Sequence, residues 1–264
     1  MWTSGAIEVV QLNVSSSFAE KIAKLMERVE YRRADTFDAK HAIFRMRHEA
    51  YTREGYIEPQ PSGLFTDPDD DVPNAWLLAC YIDGDLASSL RLHVASSPGQ
   101  RLPVLSAFPE IVAPRLRAGD LVIDASRHTS KFEFSRAFPQ LPFVTLRAAF
   151  LAEEHFGADF ITAAMRTDYQ AAFRRMYGAV EWAPPRPYPH LSRLQALMAY
   201  ECGPMWSATR ARYPFLRSTV AEQQALYGRS SNSSADPYFE LTGVDPLRGR
   251  RRSTGVQASA TLAT

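Results

Sequence analysis

The chain has 264 residues, 45% of them hydrophobic, 22% charged and 11% aromatic, which is enough apolar material for one sizeable core. Lys and Arg (30) nearly balance Asp and Glu (29), so no overall field draws the chain to nucleic acid. Two cysteines, Cys80 and Cys202, are too few for a disulfide framework, and no apolar run approaches the ~18 residues of a membrane span.

Residues 1–16 carry little pattern, and the first twenty contain no Lys, no Arg and no apolar stretch of the secretory kind; a cytoplasmic location is expected. Phe18, Ile22, Leu25 and Val29 recur at helical spacing, so 1–30 reads as an N-terminal extension with one helix. Val29, Tyr31 and Arg33 alternate as an edge strand. Asp35 or Thr36 then caps a second helix that reaches about Glu54, where Gly55 can end it. A loop rich in Pro and Asp covers 56–73. The runs 75–82 and 86–95 flank Asp83-Gly84, a hairpin signal because this pair accepts the positive φ of a tight turn. A loop with Pro103, Phe108 and Pro109 leads to a strand at 121–125.

Further on, a helix over 142–156 ends at Gly157 and a strand covers 159–164. Thr167 and Gln170 have capping-box spacing and open a helix that ends at Gly178. Strands near 179–183 and 190–201 follow, separated by the proline-rich turn APPRPYPH. Residues 205–228 read as a helical segment, and 229–264 as a flexible tail whose run Arg248, Arg250, Arg251 and Arg252 is solvated. Strand–helix–strand units imply parallel neighbours and hairpins impose antiparallel ones. The fold class is therefore α/β, a mixed and mostly antiparallel sheet flanked by helices, in one main domain over 31–204.

Nucleotide motifs (GxGxxG, Walker, kinase) are absent, as are GxSxG and HExxH, and the six histidines are scattered, so no metal is expected. What stands out is charge where a core would have none. Arg47 and Glu49 lie in the second helix between Phe44 and Tyr51, and Asp67, Asp69, Asp70 and Asp71 crowd the loop after it. Arg91 sits in a strand between Leu90 and Leu92, and Asp124 and Arg127 bracket the end of the next strand. A charge in a central strand must be paired or must line a cleft. Both readings, a stiffening ion pair and a substrate contact, stay open for Arg91, Asp124 and Arg127. Phe44, Trp76 and Phe108 are by type more often core than ligand contacts.

These residues fall into a familiar order. RMRHEAYTREGY resembles the opening helix of acyl-homoserine-lactone autoinducer synthases, with Arg47, Tyr51, Gly55 and Tyr56 on its Arg, aromatic, Gly and Trp positions. Asp67 and Asp70 fall on that family's paired aspartates, and DGDLASSLRL resembles its hairpin, placing Arg91 on the motif arginine. LPVLSAFPEI puts Phe108 on a motif aromatic, and IDASR resembles an acidic residue followed by Arg, with Asp124 where Glu is usual and Arg127 matching. With Tyr56 for Trp and Asp124 for Glu, the pattern looks closer to a sister group, the N-acyl amino acid synthases.

The resemblance implies an acetyltransferase-like (GNAT-like) fold and transfer of a fatty acyl chain from acyl carrier protein to the α-amine of an amino acid. On that reading Asp124, Arg127 and, less centrally, Glu49 are the catalytic candidates. Arg47, Tyr51, Trp76, Arg91, Phe108 and Ser126 are the substrate-binding candidates, supported by Asp67 and Asp70, with Arg47 tying their loop over the site. Arg91 and Arg127 would hold a substrate carboxylate, and Asp124 would orient Arg127 or take the amine proton through water. No tightly bound cofactor is implied; the acyl donor is a phosphopantetheine thioester. The segment after Arg127, RHTSKFEFSRAFP, lacks the glycine loop that admits a coenzyme A pyrophosphate, which fits a carrier protein. Lys131, Arg136, Arg147 and Arg166 are docking candidates for that acidic partner. A lipid product makes peripheral membrane contact reasonable, although no basic amphipathic helix demands it. Two other readings remain: an autoinducer synthase using S-adenosylmethionine, and a non-catalytic acyl-carrier or ligand-binding module.

Overall fold

Alternation along the central strands sets the architecture. In β3 (Asp85–Ala95), Leu90, Leu92 and Val94 join the main apolar cluster, while Ser89, Arg91 and His93 take the opposite face. The computed structural model describes residues 16–203 and 206–228; the expectations for residues 1–15 and for the arginine-bearing tail lie outside the described residues.

Among the described residues one sheet of seven strands has the order β1-β2-β3-β4-β5-β7-β6. The other strands are β1 (Val29–Arg33), β2 (Ala75–Ile82), β4 (Val122–Ser130), β5 (Phe160–Met165), β6 (Val180–Tyr188) and β7 (Leu191–Glu201). Neighbours are antiparallel except β4 and β5, whose parallel pairing requires the crossover that α5 (Leu141–Phe156) supplies. The mixed, mostly antiparallel sheet is the one expected. In the β2–β3 hairpin, Asp83 and Gly84 take φ of 52° and 89°, as its tight turn requires.

On one face lies α2 (Phe37–Arg53), N-capped by Thr36, with Ile43 and Met46 against Leu77 and Ala79. Beside it, α3 (Pro109–Arg117) buries Val112 and Leu116 with Ala95, Val122 and Leu197. The other face is covered by α5, buried nearly all round because α1 (Ser16–Met26) and the C-terminal α8 (Val220–Tyr227) pack over it. The remaining helices are α4 (Phe132–Ala137), α6 (Thr167–Tyr177) and α7 (Trp206–Arg212). Among the described residues no helix is long and apolar enough to cross a membrane.

Four local expectations are corrected. β4 does not stop at 125 but continues to Ser130 through a bulge opposite Leu90. The loop around Phe108 contains α3, with Pro109 at its first turn where a missing N–H costs nothing. Thr167 is the first residue of α6 rather than its cap, because Arg166 occupies the N-cap without a side-chain bond. The proline-rich stretch is not a turn: it is the outermost strand, β6, where prolines need no outer partner and the register shifts repeatedly.

Arg147 also has a different place from the expected docking surface. It is buried, donates 2.7 Å bonds to the carbonyl oxygens of Phe215 and Arg217, and pairs with Glu222 at 2.7 Å. This fastens the C-terminal helices to α5, where Leu216, Leu226 and Tyr227 enter the main core. Arg147→Ala leaves two carbonyls without their donor and removes a bond to the partly exposed Glu222, so a loss of about 2 kcal/mol is expected in urea unfolding. Glu222→Gln, which keeps the polar contact, is expected to lose less than half of that.

Candidate active site

The pairing of β4 with β5 lasts three rungs, Val122↔Phe160, Ile123↔Ile161 and Asp124↔Thr162. Beyond Asp124 the strands part, and a cavity of about 340 Å³ opens between them. Its walls are residues 125–130 of β4, Ala163, Ala164 and Met165 of β5, and Leu146, Tyr169 and Phe173 from the helices. Tyr51 and Tyr56 close one side together with Tyr188 at the end of β6. A small apolar void of about 30 Å³ lies deeper, sharing Ala125, Leu146, Ala163 and Phe173 with the cavity and ending among Phe150, Tyr177 and Met198.

The β4 bulge centres on Arg127, which has φ of 53°, a left-handed conformation that costs a non-glycine residue about 1 kcal/mol or more. The kink turns Arg127 out of the strand's alternation and onto the loop from α2. Its Nε and Nη2 both donate to Asp67 Oδ2, at 2.9 and 2.5 Å, and the guanidinium stands 5.1 Å from the Phe65 ring centre. Among the described residues Nη1 has no acceptor, and Arg127 lines the cavity.

Behind Arg127 runs a buried ion chain. Arg91 Nη1 donates to Asp67 at 2.5 Å and to Asp70 at 2.9 Å, while Arg47 Nη1 donates to Asp70 at 2.7 Å. Arg91 Nε reaches Ser126 Oγ at 3.2 Å. Asp67 and Asp70 cap each other around the short turn Pro68–Asp70, so two carboxylates are organised before they meet the arginines. Burial alone raises the Asp67 carboxyl, but the charges of Arg127 and Arg91 overcome this and hold it well below the usual range. Three guanidinium groups face two carboxylates, leaving one positive charge in excess behind the cavity wall.

Asp124 stands apart from this chain. It is fully buried, accepts from the Val104 N–H at 3.0 Å and the Thr162 hydroxyl at 3.3 Å, and does not line the cavity. Burial pushes its carboxyl up to about 6. Its expected role of orienting Arg127 is therefore corrected: the carboxylate that orients Arg127 is Asp67. His93, cross-strand from Asp124, is lowered by burial to about 3, so it is neutral and donates to the Asp69 carbonyl at 2.9 Å.

Of the residues singled out in the sequence, Tyr51, Ser126 and Arg127 line the cavity, and Arg47, Asp67, Asp70 and Arg91 form the chain that backs it. The expectation that Arg47 ties down the aspartate loop holds in its geometry. Three others lie elsewhere. Glu49 is on the exposed side of α2; Trp76 packs on Phe156 at 5.0 Å in the main core; Phe108 is buried against Val112 and Leu116. The sequence reading missed Tyr188, hidden in a stretch taken for a turn, and His128, a half-buried cavity residue whose imidazole is lowered by desolvation to about 4. Two exposed or half-buried residues at the cavity, Arg166 and Tyr169, face each other with the guanidinium 5.5 Å from the ring.

A splayed parallel pair in a mixed sheet, with an apolar cavity in the gap and a kinked strand beside it, is the GNAT-like acyltransferase architecture; the protein is an acyltransferase. It matches the structure of FeeM, an N-acyl amino acid synthase from uncultured soil microbes, at TM-score 0.59 and 14% identity, over 71% of this chain and 98% of that one. It also matches BjaI, a coenzyme A-dependent acyl-homoserine lactone synthase, at 0.51 and 17%, over 71% and 89%. TofI, solved with an inhibitor and MTA, matches at 0.52 and 16%, over 74% and 99%. These likenesses concern the fold. The family described as N-acyl amino acid synthase FeeM matches residues 42–201, more than half of the chain, and the chain belongs to that family. No curated protein sequence matches it.

The raised Asp124 carboxyl has a measurable sign. A carboxyl that is harder to ionise in the folded state favours folding while protonated, so stability falls as pH rises from about 4 to about 6. Asp124→Asn keeps an oxygen for the Val104 N–H and is expected to flatten the pH 4–6 slope of urea-unfolding stability, by on the order of 1 kcal/mol per pH unit. An unchanged slope would assign the titration to another group.

Proposed function

We propose that this protein moves a fatty acyl chain from the phosphopantetheine thioester of an acyl carrier protein to the α-amine of an amino acid. The observation that carries the reading is the parting of β4 and β5 beyond Asp124↔Thr162 into an apolar cavity. There the β5-side edge of β4 is left without a strand partner, and an extended pantetheine arm can supply one, as peptide edges do. Backbone N–H groups near the bulge then stand where the thioester oxygen gains charge. The acyl tail follows the apolar walls toward Leu146, Phe173 and the smaller void.

The step is direct aminolysis. The neutral amine nitrogen bonds to the thioester carbon, the C–S bond breaks, and the proton lost by nitrogen is balanced by the thiolate leaving as thiol. Asp124, with a carboxyl near 6, is poised to take that proton. Because it does not line the cavity, the proton reaches it through water. Arg127, held by Asp67, presents its remaining nitrogen to the acceptor end. For the donor, β4 leads into α4 rather than a glycine loop, which supports a carrier protein over free coenzyme A. Arg166 stands at the cavity, and with Lys131 and Arg136 it remains the docking candidate. A cytoplasmic location belongs to the same reading.

The test mixes protein with a long-chain acyl carrier thioester, a pool of amino acids and S-adenosylmethionine, and reads products by mass spectrometry. An N-acyl amino acid is the expected product. An acyl homoserine lactone would assign the chain to autoinducer synthesis, and a persisting thioester would leave a binding module. A second prediction concerns chain length. Ala163 lines both cavity and void, so Ala163→Leu shortens the space for the tail. It is expected to cut kcat/KM for long chains relative to short ones by at least about 10-fold.

A further inference from the structure

The bulge in β4 divides its side chains between two faces. Ser126 and Arg127 turn toward Arg91 and Asp67, on the face covered by α2 and its loop. Beyond the bulge Thr129 pairs with Ser89, and their hydroxyls meet on that same face. Its neighbours His128 and Ser130 therefore take the opposite face. Ser130 stands across from Ser88, which bonds to Thr145 of α5. His128 thus enters the cavity from the α5 side, which Leu90, Pro142 and Leu146 also line. Among the described residues it is the cavity's only histidine.

The ring is half-buried, and neither nitrogen has a partner among the described residues. Nε2 is shut away from solvent, whereas Nδ1 is not. Desolvation lowers the imidazole to about 4, with no charged neighbour contributing, so the ring is neutral near pH 7 and carries one proton. A sealed N–H without an acceptor costs more than an idle lone pair, which assigns that proton to Nδ1. The accessible nitrogen is then a hydrogen-bond donor beside apolar Leu90 and Leu146.

The order of groups along the cavity selects what this donor meets. The acyl tail heads inward past Ala125 to Leu146 and Phe173, and the pantetheine arm enters over Ser130 and Ser135. A thioester carbon held at the bulge has its sulfur on the outward side, toward His128. The amine comes from the Arg127 side, across the strand, so the ring is misplaced to serve as its base. On the α5 side the reacting atom that gains charge is the sulfur. We propose that His128 is a catalytic residue whose Nδ1–H donates to the thioester sulfur and stabilises the thiolate as it leaves. This rests on the proposed aminolysis. The C–S electron pair goes to sulfur, and the proton that turns thiolate into thiol is the one shed by the amine and carried by water. The imidazole begins and ends neutral.

The experiment measures kcat for N-acyl amino acid formation from three dodecanoyl thioesters, those of N-acetylcysteamine, butanethiol and thiophenol. The first two leave as alkyl thiolates; thiophenolate spreads its charge into the ring and needs little help. His128→Leu and His128→Phe are each expected to lose at least about 10-fold with both alkyl thioesters, the range for a hydrogen bond to a charged group, and less than about 3-fold with the phenyl thioester. His128→Asn keeps an N–H near the Nδ1 position and is expected to stay within about 3-fold of wild type on all three. Equal loss on all three overturns the role, since the ring would then only shape the wall, and so does no loss. Loss confined to the N-acetylcysteamine donor also overturns it, by assigning the N–H to an amide of the arm. A wild type that makes product from the carrier thioester but from none of these three overturns the inference alone. No product from any donor overturns the inference and the proposed reaction together.

Discussion

The chain of charges Arg47–Asp70–Arg91–Asp67–Arg127 is the constraint on which the rest of the site depends. It joins a helix and two paired strands to the loop that carries Asp67 and Asp70, and so ties that loop to the sheet. Burying such groups is costly, and a hydrophobic replacement of the whole set would give similar or greater stability. Its value is in position. Removing Asp70 leaves Arg47 buried without its partner and removing Asp67 does the same to Arg127, so the two aspartates fix the arrangement that keeps Arg127 at the cavity edge.

The network also explains why Arg127 can keep a left-handed backbone in the middle of a strand. The unfavourable φ is offset by two bonds to Asp67. Without that anchor the bulge would relax, Arg127 would return to the strand's alternation, and the wall beside the β4–β5 gap would change shape. Ahead of the bulge, the Asp124–Thr162 contact marks the last point where the two strands hold together. The cavity is thus framed by an ion chain on one side and by the end of a ladder on the other. Apolar packing from α5 and α6 fills the far side, which suits a long hydrocarbon at one end and charge at the other.

Much of the framework was legible locally. The hairpin at Asp83-Gly84, the Thr36 cap, the ends of α5 and α6 at Gly157 and Gly178, and the alternation of β3 follow from short-range rules. Where reading failed, a longer-range effect had won. Prolines in β6 read as a turn because an edge position, which makes them harmless, is a property of the sheet and not of the strand. Asp124 and Arg127 read as partners because they are near in sequence, yet the bulge sends them apart. Phe108, on a motif aromatic, and Trp76 were substrate-binding candidates and are core by packing.

The amino-acid sequence by itself determined the order and type of the main elements, the family pattern of arginines and aspartates, and the absence of a coenzyme A glycine loop. All of these rest on residue type and on spacings of a few positions. The tertiary structure alone decided which carboxylate meets which guanidinium, where β4 and β5 part, and that Tyr188 reaches the cavity. Arg127 and Asp67 are 60 positions apart. No local rule links residues at that separation; only the closing of loop, helix and sheet around a shared core brings their charges into contact.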